Sequence, residues 1–299
     1  MRVLDLISPS DLSRVARLQL LARQVVEGFC SGRHRSPHKG FSVEFKEHRQ
    51  YVRGDELRNI DWKVFGKSDR LFIREFEEDT NVRVQLVVDR SGSMAYQGER
   101  SDVSKFEFAQ QVAASLAYLM LGQQDAVGLT LFDDRPREQL PPRNRPSHLK
   151  SLLSVLTSGT PRHETSLGQV LQRVASKIHR RGLVVILSDA MDDVDALARP
   201  LAQLRASHHE VLFFRVVDPD EVDFPFRGRI QFRDLENAAL EQTVDSHSLR
   251  QAYIDRFQAH EESLVAMCRK HRLDMIRLVT NQPVAEALHH YLGKRRRMR

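Results

Sequence analysis

The spacing of apolar positions changes period several times along the chain, and each change marks an element. Leu12, Val15, Ala16, Leu18, Val25 and Val26 line one side of a helix that Ser10 or Asp11 can cap and that runs to about Glu27. Gly28 and the stretch from Gly32 to Gly40 then break the regularity, and Ser31 to Lys39 reads as a basic loop. From Phe41 to Thr80 the chain is mixed and strongly charged. Short alternating pieces such as Leu71 to Phe76, where Phe72 and Phe76 share a face, suggest a small α+β unit.

The pattern then sharpens. Val82 to Val88 starts as an alternating strand, ends as an apolar one and stops at Asp89. Ser104 and Glu107 form a capping-box signature that opens a helix to about Gly122. Ala126 to Phe132 is a second strand, followed by a turn at Asp133 to Pro136, a short edge strand ended by Pro141-Pro142, and a helix from Ser147 to Thr157. Leu167, Val170, Leu171, Val174, Ala175 and Ile178 recur at helical spacing, with Gly182 expected as the cap. Leu183 to Leu187 is a continuous apolar strand, as in a sheet covered on both faces. A helix over 194–207, a strand over 211–217, a polar excursion, a strand over 275–279 and a helix from Pro283 to Leu292 complete the pattern. Alternating strands and helices of this length predict an α/β fold, a mostly parallel sheet with helices on both faces. The organisation expected is an N-terminal region over 1–80, a main domain over 81–292 with a polar insertion near 219–270, and a basic tail over 293–299.

Charge changes the picture less than its total suggests. Lys and Arg number 46 against 40 Asp and Glu, a formal charge of +6. Five of the last six residues, Lys294 to Arg299, are basic, so the body is nearly neutral and does not read as a nucleic-acid-binding surface. Two cysteines, Cys30 and Cys268, fit a reducing compartment and cannot build a disulfide framework. No apolar run reaches the length of a membrane span, and the N-terminus lacks a signal-peptide pattern, so a cytoplasmic location is expected.

In such sheets ligands bind beyond the carboxyl ends of the strands, near the switch point. Two strands end there in aspartate: one gives Asp89-Arg90-Ser91-Gly92-Ser93, the other Ser188-Asp189. Thr165 stands just before the helix that begins near Ser166. A carboxylate and several hydroxyls at one sheet edge suit a hard divalent cation such as Mg2+, or Mn2+ or Ca2+. With few carboxylates in the set, the ion stays incompletely neutralised and its open position attracts a carboxylate from another molecule. Read singly, Asp-x-Ser-x-Ser is also a turn, Thr165 a helix cap and Asp189 a common strand end.

The constellation Asp89, Ser91, Ser93, Thr165 and Asp189 resembles the metal-ion-dependent adhesion site of the von Willebrand factor A domain. Further upstream, Gly40-Phe41, Phe45, Arg49, Tyr51, the run Gly54 to Trp62, and Arg74 with Glu77 resemble the bacterial domain-of-unknown-function 58 family. Phe232 to Glu236, Tyr253 and Leu292 fit the same family, so the resemblance spans about Gly32 to Leu292. It implies a von Willebrand factor A-like, Rossmann-type sheet. It also implies Mg2+ held by those five residues, and a non-enzymatic interaction module that partners a MoxR-type AAA+ ATPase in remodelling or maturing a client protein. An acidic side chain of the partner would complete the metal shell. Two departures stand out: Ala190 follows Asp189 where many A domains place glycine, and Thr160 competes with Thr165 for the second-loop position.

Two other readings stay open. Asp89 after a strand could serve a metal-dependent phosphohydrolase, although Ser91 stands where such enzymes place a second aspartate. The basic tail could touch nucleic acid or an anionic membrane surface. The pairs His34 and His38, His208 and His209, and His289 and His290 lack supporting ligands at zinc spacing. The Gly54 to Trp62 run reads as an internally paired loop or as a docking surface.

Overall fold

A computed structural model describes residues 9–32, 45–51, 62–68, 70–76, 82–162, 165–178, 180–233, 235 and 241–298. Its first helix, α1 (Pro9–Gly32), continues past Glu27 because Phe29 extends the buried side already formed by Val15, Leu18, Ala22 and Val26. These residues join the main core, so the chain divides into a unit of 1–33 with 82–299 and a second unit of 34–81. The 1–80 stretch is thus not one piece: its helix belongs with the large unit.

Within the small unit, β1 (Phe45–Gln50) pairs antiparallel with β2 (Phe72–Phe76), and α2 (Trp62–Ser68) lies between them in sequence. Trp62 is exposed and meets Phe65 edge-on. The pair His34 and His38, Gly40-Phe41 and most of the Gly54 to Trp62 run lie outside the described residues.

The large unit continues with β3 (Arg83–Asp89), a single 3-10 turn at Gly92–Ala95, α3 (Lys105–Gly122), β4 (Ala126–Phe132), β5 (Pro136–Arg143) and α4 (His148–Thr157). It proceeds through α5 (Leu167–Lys177), β6 (Leu183–Ser188), α6 (Val194–Ala206), β7 (Glu210–Val217) and α7 (Pro219–Asp223). The hairpin β8 (Arg229–Arg233) and β9 (Glu241–Asp245), then α8 (Ser246–Lys270), β10 (Asp274–Val279) and α9 (Ala285–Met298) complete it. Six strands form one sheet in the order β10-β7-β6-β3-β4-β5, parallel except for β5. Alternation along β3 serves both faces. Val84, Leu86 and Val88 face the core shared with α1, α3, α4 and α9, while Val87 faces the core shared with α5, α6 and α8. This is the α/β architecture that the pattern predicts.

Several local expectations change. The edge strand β5 runs through Pro141-Pro142 to Arg143, because its pairing with β4 shifts register between the Leu129/Leu140 and Val127/Arg143 pairs, and that irregularity takes up the two prolines. Gly182 is not a helix cap. A Cβ there would lie 2.3 Å from the Arg83 carbonyl oxygen, so glycine permits close backbone approach at the entry to β6. The polar stretch 219–270 is α7, a hairpin and the long helix α8, which buries Phe257, Leu264, Met267 and Cys268. Helix α9 carries on from Leu292 to Met298, so the basic tail is largely helical. Among the described residues no helix is long and apolar enough to cross a membrane.

Candidate metal centre at the carboxyl edge of the sheet

After β3 the chain turns out to β4 and β5; it then returns to the other side of β3 to lay down β6, so the loops after β3 and β6 diverge. That opening is the switch point, and the five site residues surround it. Asp89 is fully buried. Its Oδ1 accepts the Ser91 backbone N–H at 2.8 Å, which fixes the first loop as an Asx turn. Its Oδ2 accepts the Ser188 hydroxyl at 2.5 Å and the Thr165 hydroxyl at 3.5 Å. The Ser91 and Ser93 hydroxyls lie 3.1 Å apart, and the Ser93 hydroxyl also reaches Asp189. Thr160 is engaged elsewhere, accepting from Arg162 Nε at 3.1 Å. The fold therefore brings together Asp89, Ser91, Ser93, Thr165 and Asp189, and leaves Thr160 outside.

The second loop is held by Arg90, a residue to which the motif assigns no role. The Arg90 backbone carbonyl accepts from Arg162 N at 3.1 Å. Its guanidinium reaches Glu138 and the Ser158 carbonyl, each at 3.4 Å. Gly159 has φ +81°, and a Cβ there would lie 2.4 Å from Arg90 Nη1, so glycine makes room for this strut.

The third loop is pinned from three sides. Ala190 adopts φ +56°, the left-handed conformation usually given to glycine. His260 Nε2 donates to the Ala190 carbonyl at 2.8 Å, and Arg215 Nε donates to the Asp189 carbonyl at 3.3 Å. The buried Lys105 ammonium donates to Asp189 Oδ2 at 2.8 Å and to Glu221 Oε1 at 2.6 Å.

Lys105 is the residue that sequence reasoning missed. Inside a capping box it reads as an ordinary exposed residue at a helix start. The available signal was a mismatch: a cation in the first turn opposes the helix dipole and needs another reason to be there.

The electrostatics are asymmetric. Burial, and then the neighbouring Asp189, push the Asp89 carboxyl up to about 7, against the hydrogen bonds from Ser188 and Ser91. Burial also pushes Asp189 up, but Lys105 outweighs it and holds Asp189 below the usual carboxylate range. Burial pulls Lys105 down, yet Asp189 and Glu221 outweigh it and hold it above the usual lysine value. Among the described residues Asp189 thus has a cationic partner and Asp89 has none. A buried carboxylate lacking a counter-charge, beside three hydroxyls, fits a hard cation in both charge and donor type. Among the described residues no group of three or more His, Cys, Asp or Glu forms a metal cluster; the candidate set here is two carboxylates and three hydroxyls.

The doubly wound, mostly parallel sheet with helices on both faces is a von Willebrand factor A-like fold. The model of the family described as "Protein of unknown function DUF58" matches residues 47–263, and the chain belongs to that family. It is 25% identical over 297 residues to the uncharacterized protein Rv1480 of Mycobacterium tuberculosis, covering 98% of this chain and 92% of that one. A second relative, the uncharacterized protein MAV169 of Mycobacterium avium, is 28% identical over 118 residues, 40% of this chain and 69% of its own. Among solved structures, an aerotolerance-related membrane protein from Bacteroides fragilis aligns with TM-score 0.51 and 19% identity, covering 71% of this chain and 99% of that one. That likeness concerns the fold.

Proposed function

We propose that this protein is a non-enzymatic, divalent-cation-dependent interaction module of the adhesion-site type, working in the cytoplasm with a MoxR-type AAA+ ATPase and a client protein. The observation that carries the reading is the convergence of the uncompensated, buried Asp89 with the Ser91, Ser93 and Thr165 hydroxyls at the switch point. Those residues, with Asp189, would hold Mg2+. When bound, the ion supplies a Lewis-acidic position that accepts a carboxylate oxygen. The chain's own residues do the rest: Ser91 N and Ser188 Oγ orient the Asp89 carboxylate, and Arg90 fixes the second loop against the first. An acidic side chain of the partner is the complementary group. The ATPase and the client follow from the family resemblance.

Titration calorimetry with Mg2+ on the wild type and Asp89→Ala tests the metal. A pull-down of a MoxR-type ATPase from the same organism, with Mg2+ or with EDTA, tests the bridge. Binding of the ion and of the ATPase should both vanish in Asp89→Ala, and the ATPase should be lost in EDTA. ATPase capture indifferent to EDTA and to the substitution would exclude the metal bridge. Turnover of generic phosphate esters that disappears with Asp89→Asn would instead make the protein a phosphohydrolase.

A further inference from the structure

Lys105 is the part of the site for which the proposed function supplies no role. It opens α3, is 1% exposed, and spans Asp189 on the third loop and Glu221 on α7. Its position is unfavourable on two counts: a cation at a helix N-terminus opposes the dipole, and a buried ammonium loses its hydration. An apolar chain of similar length would fill the same space without either cost. What Lys105 adds beyond volume is therefore charge, placed on one of the two carboxylates that face the switch point.

We infer that Lys105 is an internal counter-cation that competes with a divalent ion for Asp189, setting the site's metal affinity low and linking it to α7. This inference rests on the cation-dependent reading above. An ion drawing on Asp189 would share that carboxylate with the ammonium, which lies 2.8 Å from its Oδ2, and like charges close together in a buried site repel strongly. Glu221 moderates the contest by drawing on the same ammonium. It is itself anchored, since its Oε2 accepts the Asp218 backbone N–H at 2.8 Å in the box that caps α7. Asp218 in turn accepts Gly98 N at 3.0 Å and the Thr280 hydroxyl at 3.2 Å. A change of charge at Asp189 is thereby felt along a continuous chain of ion pairs and hydrogen bonds into α7 and the loop after the first metal turn.

The test uses the full chain, stripped of divalent ions, titrated with Mg2+ alone in the calorimeter. Lys105→Met should bind at least about tenfold more tightly than the wild type. Glu221→Gln leaves the ammonium to Asp189 alone and should bind a few-fold more weakly. The opposite signs matter, because a merely structural role would weaken both. Wild-type binding with Lys105→Met equal or weaker overturns the inference and leaves the metal reading standing. Binding in Lys105→Met but not in the wild type supports the inference in its strongest form. No binding in either overturns the metal reading and the inference with it. If Lys105→Met fails to unfold cooperatively, Lys105→Gln takes its place, since it removes the charge and can still hydrogen-bond to Asp189 or Glu221; tighter Mg2+ binding there supports the inference, and equal or weaker binding overturns it.

Discussion

Replacing Asp89 by asparagine should make the protein more stable while removing the proposed metal site. Asp89 is fully buried, and its carboxyl is raised from 3.8 to about 7 by burial and by Asp189. That difference is roughly three pKa units, or about 4 kcal/mol at 1.36 kcal/mol per unit. The sign follows from linkage. The folded state holds its proton more tightly, so the favourable contribution of the neutral carboxyl is complete below the unfolded value of 3.8 and is lost as pH rises through about 7. Asparagine is neutral throughout. Its Oδ1 can still accept Ser91 N, and the Ser188 hydroxyl can rotate to accept from Nδ2. Urea unfolding in EDTA at about pH 8 should therefore show Asp89→Asn more stable by about 2–4 kcal/mol, shrinking to less than half of that near pH 5. Added Mg2+ should stabilise the wild type through mass action and leave the variant unmoved. The reasoning is refuted if the variant is no more stable than the wild type in EDTA at the higher pH, or if the difference does not change with pH.

Other expectations are more local. Ala190→Gly relieves the left-handed backbone at φ +56°, and should raise stability by up to about 1 kcal/mol in thermal unfolding, since the αL penalty slightly exceeds the entropy glycine adds. Gly168→Ala should cost about 1–3 kcal/mol, because its Cβ would lie 2.8 Å from the Ala196 carbonyl oxygen where α5 packs on α6; chemical denaturation measures it. His148 is held below its ordinary value by burial, with Nε2 at 3.0 Å from the Val127 carbonyl. A depressed histidine contributes stability that is present above its unfolded value near 6.5 and lost as pH falls below it, so His148→Gln should lose less stability than the wild type on acidification.

Much of this architecture is legible residue by residue. Val84, Leu86 and Val88 alternate with Val87, and Leu183 to Leu187 are apolar throughout, because β3 and β6 are covered on both sides. The first loop is legible because its donors are neighbours in the chain, and Thr165 and Asp189 because element ends announce them. Helix α8 is not. Its buried Phe257, Leu264, Met267 and Cys268 form a narrow seam in a charged helix, and a narrow seam has almost no periodic signature. The extension of α9 is hidden for a different reason. A run of basic residues reads as a tail, yet cations are favoured at a helix C-terminus and need not end it. Lys105 is hidden because its partners, Asp189 and Glu221, come from distant elements, and no local pattern reports that a charge has gone inside.

The division of the chain has a practical consequence for anyone cutting it. Since α1 lies in the core with α3 and the other helices of its face, the small unit His34–Asn81 is an insertion with a covalent connection to the large unit at each end. A truncation beginning at Val82 would remove α1 and bare the apolar positions beneath it. The resulting loss of solubility would then be blamed on the missing small unit. A protease nick inside the insertion is the cleaner dissection: it severs the chain but leaves α1 seated by packing alone, so the two fragments should stay together until the large unit unfolds.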